Sequence, residues 1–502
     1  MTSLTRREVL STLLSASIGG ILSASQQDTA HALSFTASIE GHDFESARDQ
    51  IRKAIASGAA TGVAVAVVNG GRIIWEEGFG WANRETSLKA TARTPFSLAS
   101  ITKPFTATTL MTLVAQGKLS LDDSANKYLA KSRIADKSGN ADAATVRLLG
   151  AHVSGLPSMF EEYNRAEANL ALSSEALLTE YGRLAYPPGS CYEYSNLGFA
   201  ALDAIASSLT GVEFGTLMTQ RVLTPLGLND GFFDTNVTRL ATGAARYDPS
   251  GNPIPYYTTS TPASGELYAS AHDLAQFAMF NMKNRGRSQI LDDNWIDELH
   301  KPVFRGPSGV ATTFGWFTGH LESGVPVIFK TGGQRGVATA LYMVPSENLA
   351  CLVLTNRSDG RELCTSVCNQ LLPSHVPEWP ESSGPAPSKF VVTPSLGGRW
   401  QGTLTNGGAK MRVGLNIESS GSATLELDGK PAGMITDMHS EGPAFTGVSA
   451  GLIDSPDARR TGAKALSIKL VPYQAMLVGR ILATDSNRVA LPYVLSLNRV
   501  PA

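Results

Sequence analysis

Two groups of strand signals, far apart in the chain, constrain the fold more than any other feature of the sequence. In the first group, residues 61–68 are rich in valine, residues 69–71 read Asn-Gly-Gly, and residues 72–79 return with isoleucine and tryptophan, which is the pattern of a hairpin. The second group contains three more strand signals, at residues 325–330, 337–344 and 349–354. Helical patterns at 44–57 and 362–372 flank the two groups, and others lie between them. This order predicts an α/β domain with an antiparallel sheet, N- and C-terminal helices and an inserted helical subdomain.

A proline-rich segment separates this domain from the rest of the chain. Six prolines crowd this segment, at Pro373, Pro377, Pro380, Pro385, Pro387 and Pro394. Such a composition is typical of a semi-rigid linker. Beyond it, short alternating apolar runs predict an all-β barrel or sandwich of roughly eight strands. We therefore assign residues 33–375 to the α/β domain, 376–394 to the linker and 395–502 to the all-β domain.

Residues 1–32 have the pattern of an export signal. Arg6 and Arg7 precede a modestly apolar run that ends near Leu22, and residues 30–32 read Ala-His-Ala, a small-x-small cleavage pattern. Paired arginines before a run diluted by Ser and Gly are typical of a twin-arginine signal, which exports folded protein. We expect a periplasmic or extracellular protein whose mature chain begins near Leu33. An uncleaved anchor is the alternative, although the run is short for one.

Composition argues against several classes of partner. The 502-residue chain has a formal net charge of -2, which gives no reason to expect nucleic acid or an anionic membrane as a partner. No segment after the first thirty residues is apolar for long enough to span a bilayer, so we expect no integral membrane segment in the mature chain. The four cysteines do not make a disulfide scaffold or a metal-ligand spacing. We expect them to be small buried side chains with at most one bridge.

The first chemical motif is a serine and a lysine one helical turn apart. Residues 100–103 read Ser-Ile-Thr-Lys at the start of an apolar helical pattern, and this spacing puts Ser100 and Lys103 on one face. A serine hydroxyl is a weak nucleophile until a base takes its proton. A lysine can be that base if burial and a helix N-terminus lower its pKa. The motif is weak alone, because residues 124–127 match it too. Ser124 lies in a predicted turn without partner motifs, and we interpret it as structural.

Two further motifs complete a recognisable set. Residues 194–196 read Tyr-Ser-Asn on a loop before a helical pattern, and residues 330–333 read Lys-Thr-Gly-Gly at the end of a predicted edge strand. Together with Ser-x-x-Lys, they resemble the penicillin-recognising serine hydrolases, specifically the group of class C β-lactamases, D-aminopeptidases, D-Ala-D-Ala carboxypeptidases and related esterases. Supporting matches follow in the expected order at residues 148–157, 225–228 and 265–274. The resemblance covers residues 40–375 and implies a β-lactamase-like fold.

The resemblance implies a role for each motif residue. Ser100 attacks an acyl carbon and forms a covalent ester, while Lys103 and Tyr194 share the proton transfers. Asn196 holds Lys103 and the substrate amide, and Lys330 stabilises a Tyr194 phenolate and attracts a substrate carboxylate. For this chemistry near neutral pH, we expect burial and the helix N-terminus to lower the pKa of Lys103. We expect the charges of both lysines to lower the pKa of Tyr194.

The same resemblance assigns the oxyanion hole and the substrate contacts. The backbone amides of Ser100 and Gly333 form the oxyanion hole. Thr331 and Gly332 line the substrate site, on a strand whose exposed edge accepts an extended peptide as another strand. Arg335 departs from the usual family pattern. It either binds a substrate carboxylate or is a solvated turn residue.

Three other features are interpreted as structural. His152 matches a common family position, but we expect it to cap a local turn and do not assign it a catalytic role. Residues 447–451 read Gly-Val-Ser-Ala-Gly like a nucleophile elbow, which requires a preceding strand and a following helix. Because the surroundings are β-rich, we expect a surface loop there. Residues 398–400, Gly-Arg-Trp, are similar to the start of lipocalin-like barrels, and we interpret Trp400 as a plug at the barrel base.

These observations predict a serine hydrolase that acts through a covalent acyl-enzyme on small amide or ester substrates. D-amino-acid-containing peptides or cell-wall fragments are the expected substrates, and the partner is a small molecule or short peptide. A β-lactamase or promiscuous esterase of the same fold is one alternative, and a catalytically inactive binding or sensor protein is an alternative of another class. The resemblance implies neither a cofactor nor a metal, and the oligomeric state is left open.

Overall fold

The chain is described by a computed structural model. It covers residues 44–136, 140–233, 237–284, 290–306, 309–377, 388–406, 409–453, 464–485 and 489–501. The predicted export signal and most of the predicted linker lie outside the described residues.

A nine-stranded antiparallel sheet forms the centre of the first domain. Across the sheet its strands are β3 (Leu88–Lys89), β2 (Arg72–Asn83), β1 (Gly62–Asn69), β14 (Leu349–Thr355), β13 (Val337–Val344), β12 (Pro326–Gln334), β11 (Phe317–His320), β10 (Ala311–Thr312) and β9 (Phe304–Arg305). The two predicted groups of strands therefore meet in one sheet, where β1 pairs with β14. The predicted α/β fold is confirmed.

The helices cover this sheet and build the inserted subdomain. They are α1 (Glu45–Ala56), α2 (Thr102–Ala115), α3 (Val146–Gly150), α4 (Ser174–Tyr181), α5 (Asn196–Thr210), α6 (Phe214–Met218), α7 (Val237–Leu240), α8 (Pro262–Gly265), α9 (Ala271–Asn281), α10 (Asp293–His300) and α11 (Arg361–Leu371). Between them lie the short strands β4 (Phe96–Ser97), β5 (Glu162–Asn164), β6 (Phe232–Phe233), β7 (Tyr257–Thr259) and β8 (Leu267–Ala269).

Strand β1 is buried along its whole length because both faces of the sheet are covered. Side chains of a strand point alternately to opposite faces. Val63, Val65 and Val67 pack in one core with residues of α1 and α11. The intervening residues pack in the other core with residues of α9 and the inserted subdomain. A strand covered on both sides favours apolar residues on both faces, which explains the continuous valine-rich run at residues 62–68.

Helix α2, which follows the Ser-x-x-Lys motif, runs through the middle of the inserted subdomain. Twelve of its fourteen residues are buried. A helix surrounded by protein has no face for solvent, so apart from Lys103 its buried residues are apolar side chains and threonine. The residues at its N-terminal end are therefore held firmly by their surroundings.

The C-terminal domain is one ten-stranded antiparallel sheet, with more strands than the eight expected. Its strands are β15 (Ser388–Lys389), β16 (Gly398–Asn406), β17 (Ala409–Ile417), β18 (Ala423–Leu427), β19 (Lys430–Met434), β20 (Thr436–Glu441), β21 (Ala444–Gly451), β22 (Lys464–Tyr473), β23 (Met476–Thr484) and β24 (Ala490–Arg499). Strand β19 lies at one end of the sheet, and β20 pairs with β15 at the other end. Because Ile435 alone connects β19 to β20, the sheet curls round on itself. The predicted all-β barrel domain is thus confirmed as a curled sheet.

Two sequence features of this domain are now placed. Trp400 is buried and donates its indole N–H to the carbonyl of Leu396 at 2.9 Å. The predicted surface loop at residues 447–451 is wrong, because this segment belongs to β21 and pairs with β20 and β22. Ser449 therefore lies in a strand and not on an elbow.

The four cysteines are free thiols. Cys351 on β14 and Cys368 on α11 are both buried, and their sulfur atoms lie 3.3 Å apart. They help to fill the core between the sheet and α11, as expected for small buried side chains.

Within the described ranges, no single helix has both the length and the apolar composition needed to cross a membrane, while the bent pair Asn196–Thr210 and Phe214–Leu223 meets both conditions only when taken together.

Candidate active site

Ser100 lies in a tight 3-10 turn, Ala99–Ile101, immediately before α2. The turn is held from both sides: Leu98 N–H donates to the carbonyl of Leu267, and the carbonyl of Leu98 accepts from Thr339 Oγ1 at 3.0 Å. Ala99 has a φ of 46°, which is a left-handed conformation that costs a non-glycine residue about 1–3 kcal/mol. Ser100 is half-buried, so its hydroxyl remains accessible at the end of this fixed turn.

Lys103 is fully buried beneath Ser100. Its Nζ lies 3.2 Å from Ser100 Oγ, 2.9 Å from Asn196 Oδ1 and 2.9 Å from the carbonyl oxygen of Ser264. Burial lowers the pKa of Lys103 well below its ordinary value, and the charge of Lys330 lowers it further. The expectation of a lowered pKa for this lysine agrees with the structure.

These contacts orient the amine as a base. A neutral amine has two N–H groups and one lone pair. The oxygens of Asn196 and Ser264 can only accept, so they take the two N–H groups of Lys103. Ser100 is the remaining neighbour, and its hydroxyl can donate to the lone pair. The neutral form of Lys103 is thus set to receive the Ser100 proton.

Tyr194 approaches Ser100 from the other side. Its hydroxyl donates to Ser100 Oγ at 2.7 Å, and Lys330 Nζ lies 5.1 Å from the centroid of its ring. The expectation that Tyr194 has a lowered pKa is wrong, because burial raises its pKa. The physical reason is that the phenol is buried, and the loss of solvent around it disfavours the phenolate more than its hydrogen bond to Ser100 favours it. Tyr194 is a neutral proton donor in this structure.

Asn196 is the first residue of α5 and is fixed on both sides of its amide. Its Oδ1 accepts from Lys103, and its Nδ2 donates to the carbonyl of Met159 at 3.1 Å. Ser195 before it caps the helix, because its Oγ accepts from the backbone N–H of Gly198. The Tyr-x-Asn spacing therefore presents Tyr194 to Ser100 and Asn196 to Lys103 from one loop-to-helix junction.

Strand β12 carries the Lys-Thr-Gly-Gly motif. The prediction that it is an edge strand is wrong, because β11, β10 and β9 lie beyond it. Its pairing with β11, however, involves only residues 326–329. Among the described residues, positions 330–334 pair on one side only, with β13, and their other edge faces the site. Lys330 and Thr331 thus begin a local free edge within the sheet.

Gly332 lies against the turn that carries Ser100. A Cβ atom at this position would collide with the carbonyl oxygen of Leu98 and with Thr339 Oγ1, and would lie 3.1 Å from Ala99 Cβ. At Gly333 the nearest atom to an added Cβ would be Arg361 Nη2, at 3.9 Å. Glycine is therefore required at 332 for close approach, which brings the backbone of Gly333 beside the Ser100 turn.

Arg335 forms an ion pair at the rim of the site. Its Nη1 lies 2.6 Å from Glu162 Oε2, and the Glu162 side chain is only 6% exposed. The backbone carbonyl of Arg335 also accepts from the Tyr257 hydroxyl at 2.7 Å. Arg335 is therefore not a merely solvated turn residue. It would have to share its guanidinium with Glu162 to bind a substrate carboxylate.

His152 is a residue of the site whose part the sequence reasoning missed. Its carbonyl accepts from Glu193 N–H at 2.9 Å, its Nδ1 accepts from Ser195 N–H at 3.1 Å, and its ring stacks on Tyr194 with centroids 4.2 Å apart. Burial lowers its pKa well below the ordinary value, so the imidazole is neutral and Nδ1 is free to accept. His152 thus holds Tyr194 through both flanking amides and through the ring. Its place in the motif at residues 148–157 was the available signal.

Among the described residues, no three His, Cys, Asp or Glu side chains lie together in a way that could hold a metal ion.

The fold and the Ser–Lys–Tyr cluster define the penicillin-recognising serine hydrolase class. The family model described as Beta-lactamase matches residues 47–365, and the chain belongs to the β-lactamase family. It is similar to Protein flp of Staphylococcus aureus (strain MRSA252), with 24% identity over 307 residues, which is 60% of each chain. The chain therefore spans about three fifths of the length of this curated relative.

Solved structures share the fold over different extents. The structure of SurE aligns with a TM-score of 0.64 and 20% identity, over 92% of this chain and 100% of that one. The D-alanine carboxypeptidase AmpC from Burkholderia cenocepacia aligns with a TM-score of 0.55 and 22% identity, over 66% of this chain and 100% of that one. The alignment with SurE therefore extends into the C-terminal domain. The alignment with the carboxypeptidase covers a fraction of the chain about as large as the hydrolase domain.

Proposed function

We propose that this protein is a serine hydrolase that cleaves small amides or esters through a covalent acyl-enzyme on Ser100. One observation carries the proposal: Ser100 Oγ lies between Lys103 Nζ at 3.2 Å and the Tyr194 hydroxyl at 2.7 Å. A base with a lowered pKa on one side and a proton donor on the other are the two groups that acyl transfer requires.

In the proposed reaction, Lys103 and Tyr194 each transfer protons in both acylation and deacylation. Neutral Lys103 takes the Ser100 proton as Oγ bonds to the acyl carbon, and the carbonyl oxygen becomes an oxyanion between the amides of Ser100 and Gly333. Tyr194 gives its proton to the leaving nitrogen or oxygen as that bond breaks, and the proton held by Lys103 replaces it. A water molecule then takes the place of the leaving group. It attacks the Ser100 ester, and the same proton transfers in reverse order release the acid and restore the Ser100 hydroxyl.

The proposed substrates are D-amino-acid-containing peptides or cell-wall fragments. Two structural neighbours support this proposal: one is a D-alanine carboxypeptidase, and SurE has been solved with D-Leu. The local free edge of β12 at residues 330–334 offers backbone groups to an extended peptide, as in strand addition. A class C β-lactamase is also among the neighbours, so penicillin is the competing substrate.

Adduct mapping tests this proposal. The protein is incubated with a fluorophosphonate or with penicillin, and its intact mass is measured before the labelled peptide is sequenced. We expect one adduct, on Ser100, that Ser100→Ala abolishes and that Ser124→Ala and Ser449→Ala leave unchanged. An adduct on either of those serines would refute the assignment, and a complete lack of acylation would favour a binding protein. Rapid turnover of penicillin with little D-peptide hydrolysis would favour a β-lactamase.

Tyr194→Phe separates proton donation from packing. Phenylalanine keeps the ring contact with His152 and loses only the hydroxyl that donates to Ser100. We expect acylation and deacylation of a chromogenic ester both to slow by about a hundredfold, within the range for a general acid–base group, with an unchanged thermal midpoint. Burst and steady-state rates measure the two steps. If only the thermal midpoint changed, Tyr194 would be a structural residue.

A further inference from the structure

We propose that the C-terminal domain helps to build the active site. Its Arg480 and Lys469 are positioning residues that hold the segment carrying Tyr194. This inference rests on the proposed function for its catalytic consequence. Its structural basis is a set of contacts between the two domains at the residues next to Tyr194.

The first contact is with Glu193, the residue that directly precedes Tyr194. The Glu193 side chain is only 6% exposed, and its Oε1 accepts from Arg480 Nε of strand β23 at 2.8 Å. Its Oε2 lies 3.5 Å from Lys469 Nζ of strand β22. Burial alone would raise the pKa of Glu193, but the charges of Arg480 and Lys469 lower it, so the carboxylate is ionised. The carboxylate of the hydrolase domain thus depends on two cations of the C-terminal domain.

The second contact is with Tyr192, two residues before Tyr194. Lys469 Nζ donates to the carbonyl of Tyr192 at 3.1 Å and lies 3.1 Å from Glu441 Oε2. Arg480 is fixed in turn by the carbonyl and hydroxyl of Ser467, at 2.9 and 3.1 Å. The segment that leads into Tyr194 is therefore held by side chains that are themselves held within the curled sheet.

The third contact reaches the other residue of the Tyr-x-Asn motif. Phe160 and Ala490 exchange two backbone hydrogen bonds, from Phe160 N–H to Ala490 O at 3.0 Å and from Ala490 N–H to Phe160 O at 2.8 Å. The preceding residue, Met159, accepts from Asn196 Nδ2. Strand β24 thus supports the segment that orients Asn196, so the C-terminal domain touches the supports of both catalytic side chains.

The chemistry of the first two contacts favours positioning over simple adhesion. Two carboxylates, Glu193 and Glu441, face two cations, Lys469 and Arg480, in a buried set with balanced charge. Apolar side chains of similar volume usually hold two surfaces together at least as well as a buried ion pair. What charged hydrogen bonds add is a defined geometry. A shift of about 1 Å in a catalytic group can reduce a rate by about a hundredfold, so this geometry matters at Tyr194.

The test is a cycle of variants in the full-length protein. Arg480→Met is made alone and together with Tyr194→Phe, and the rate constant for Ser100 acylation by a chromogenic ester is measured. We expect Arg480→Met to slow acylation at least tenfold in the wild-type background and less than twofold in the Tyr194→Phe background. An equal loss in both backgrounds, or no loss in the wild type, would overturn the proposal.

A second readout does not depend on catalysis. Hydrogen exchange of the amides of Glu193 and Ser195, which donate to His152, is measured in the same variants. We expect exchange to be at least tenfold faster in Arg480→Met and unchanged in Arg499→Met. Arg499 is the matched control, since it donates to the backbone carbonyls of Pro394 and Gly397, at the junction of the linker and the C-terminal domain, and not to the hydrolase domain. Unchanged exchange in Arg480→Met would refute positioning, whereas changed exchange in a protein that never acylates would refute only the proposed function.

A paired variant covers the case in which Arg480→Met does not fold. Glu193→Gln with Arg480→Met removes one charge of each sign and leaves Lys469 with Glu441, so no buried charge lacks a partner. We expect this double variant to fold, to acylate at least tenfold more slowly than wild type and to show faster exchange at Ser195. If it acylates at the wild-type rate, the ion pair has no positioning role.

Discussion

Lys103→Ala is expected to slow acylation of Ser100 by about a hundredfold or more, the usual contribution of a general base. The neutral amine has its two N–H groups committed to Asn196 and Ser264, and its lone pair is directed to Ser100. An alanine leaves the serine proton without an acceptor. Stopped-flow acylation by a chromogenic ester measures the loss.

The matched control is Lys103→Arg, which keeps the positive charge but cannot deprotonate. We expect it to be nearly as slow as Lys103→Ala. Near-normal acylation by Lys103→Arg would mean that the lysine serves only as a charge and that Tyr194 carries the base role.

The pH dependence of acylation follows from the same argument. Since Lys103 must be neutral and burial lowers its pKa well below the ordinary value, acylation is retained at neutral pH and is lost as the pH falls through that lowered pKa. Lys330, whose pKa is about 7, titrates close by, so the profile reports the pair and not one residue. Activity that required a pH near 10 would contradict a lowered pKa.

Gly332→Ala is expected to have the second large effect. The added Cβ would meet backbone at Leu98, which cannot rotate away, so β12 must move off the Ser100 turn. A movement of about 1 Å is enough to reduce the rate about a hundredfold, and overpacking adds about 1–3 kcal/mol of destabilisation. Acylation rate and thermal midpoint are measured together.

Gly333→Ala is the natural comparison, because it adds the same methyl group one residue later and also keeps the backbone N–H. Its Cβ would be in ordinary contact distance of Arg361. We expect a change of less than about fivefold in the acylation rate, which is about 1 kcal/mol of activation free energy, because the added methyl group meets no backbone atom and the strand need not move. If both variants lost activity equally, the loss would come from methyl groups that fill the substrate site. It would then not come from displacement of β12 away from the Ser100 turn.

The parts of this structure that the sequence predicts well are those decided by short-range spacing. Ser100 and Lys103 are in contact because three residues make one helical turn. Strand β1 is evident because both of its faces are covered, so its apolar run is continuous. Each of these signals can be read within about a dozen residues of chain, without knowing what lies across the fold.

The rest depends on which distant residues meet. Arg480 and Glu193 are 287 positions apart, and no sequence motif predicts that they form an ion pair. Arg335 and Glu162 are 173 positions apart. The direction in which the pKa of Tyr194 shifts could not be predicted either. The sequence identifies the neighbouring charges, but it does not show how much solvent the phenol loses on folding.

The pairing of β1 with β14 also sets the order in which the chain can mature during synthesis. Val63 pairs with Thr355, so β1 has only β2 as a partner until the ribosome has added the residues between them. At about 5–20 residues per second this takes roughly 15–60 s. During that time Gly62–Asn69, a valine-rich segment without charge or proline, presents an open edge of the kind that promotes intermolecular β-pairing. A strand that is buried along its whole length in the finished molecule therefore presents an open edge prone to aggregation while the molecule is being made.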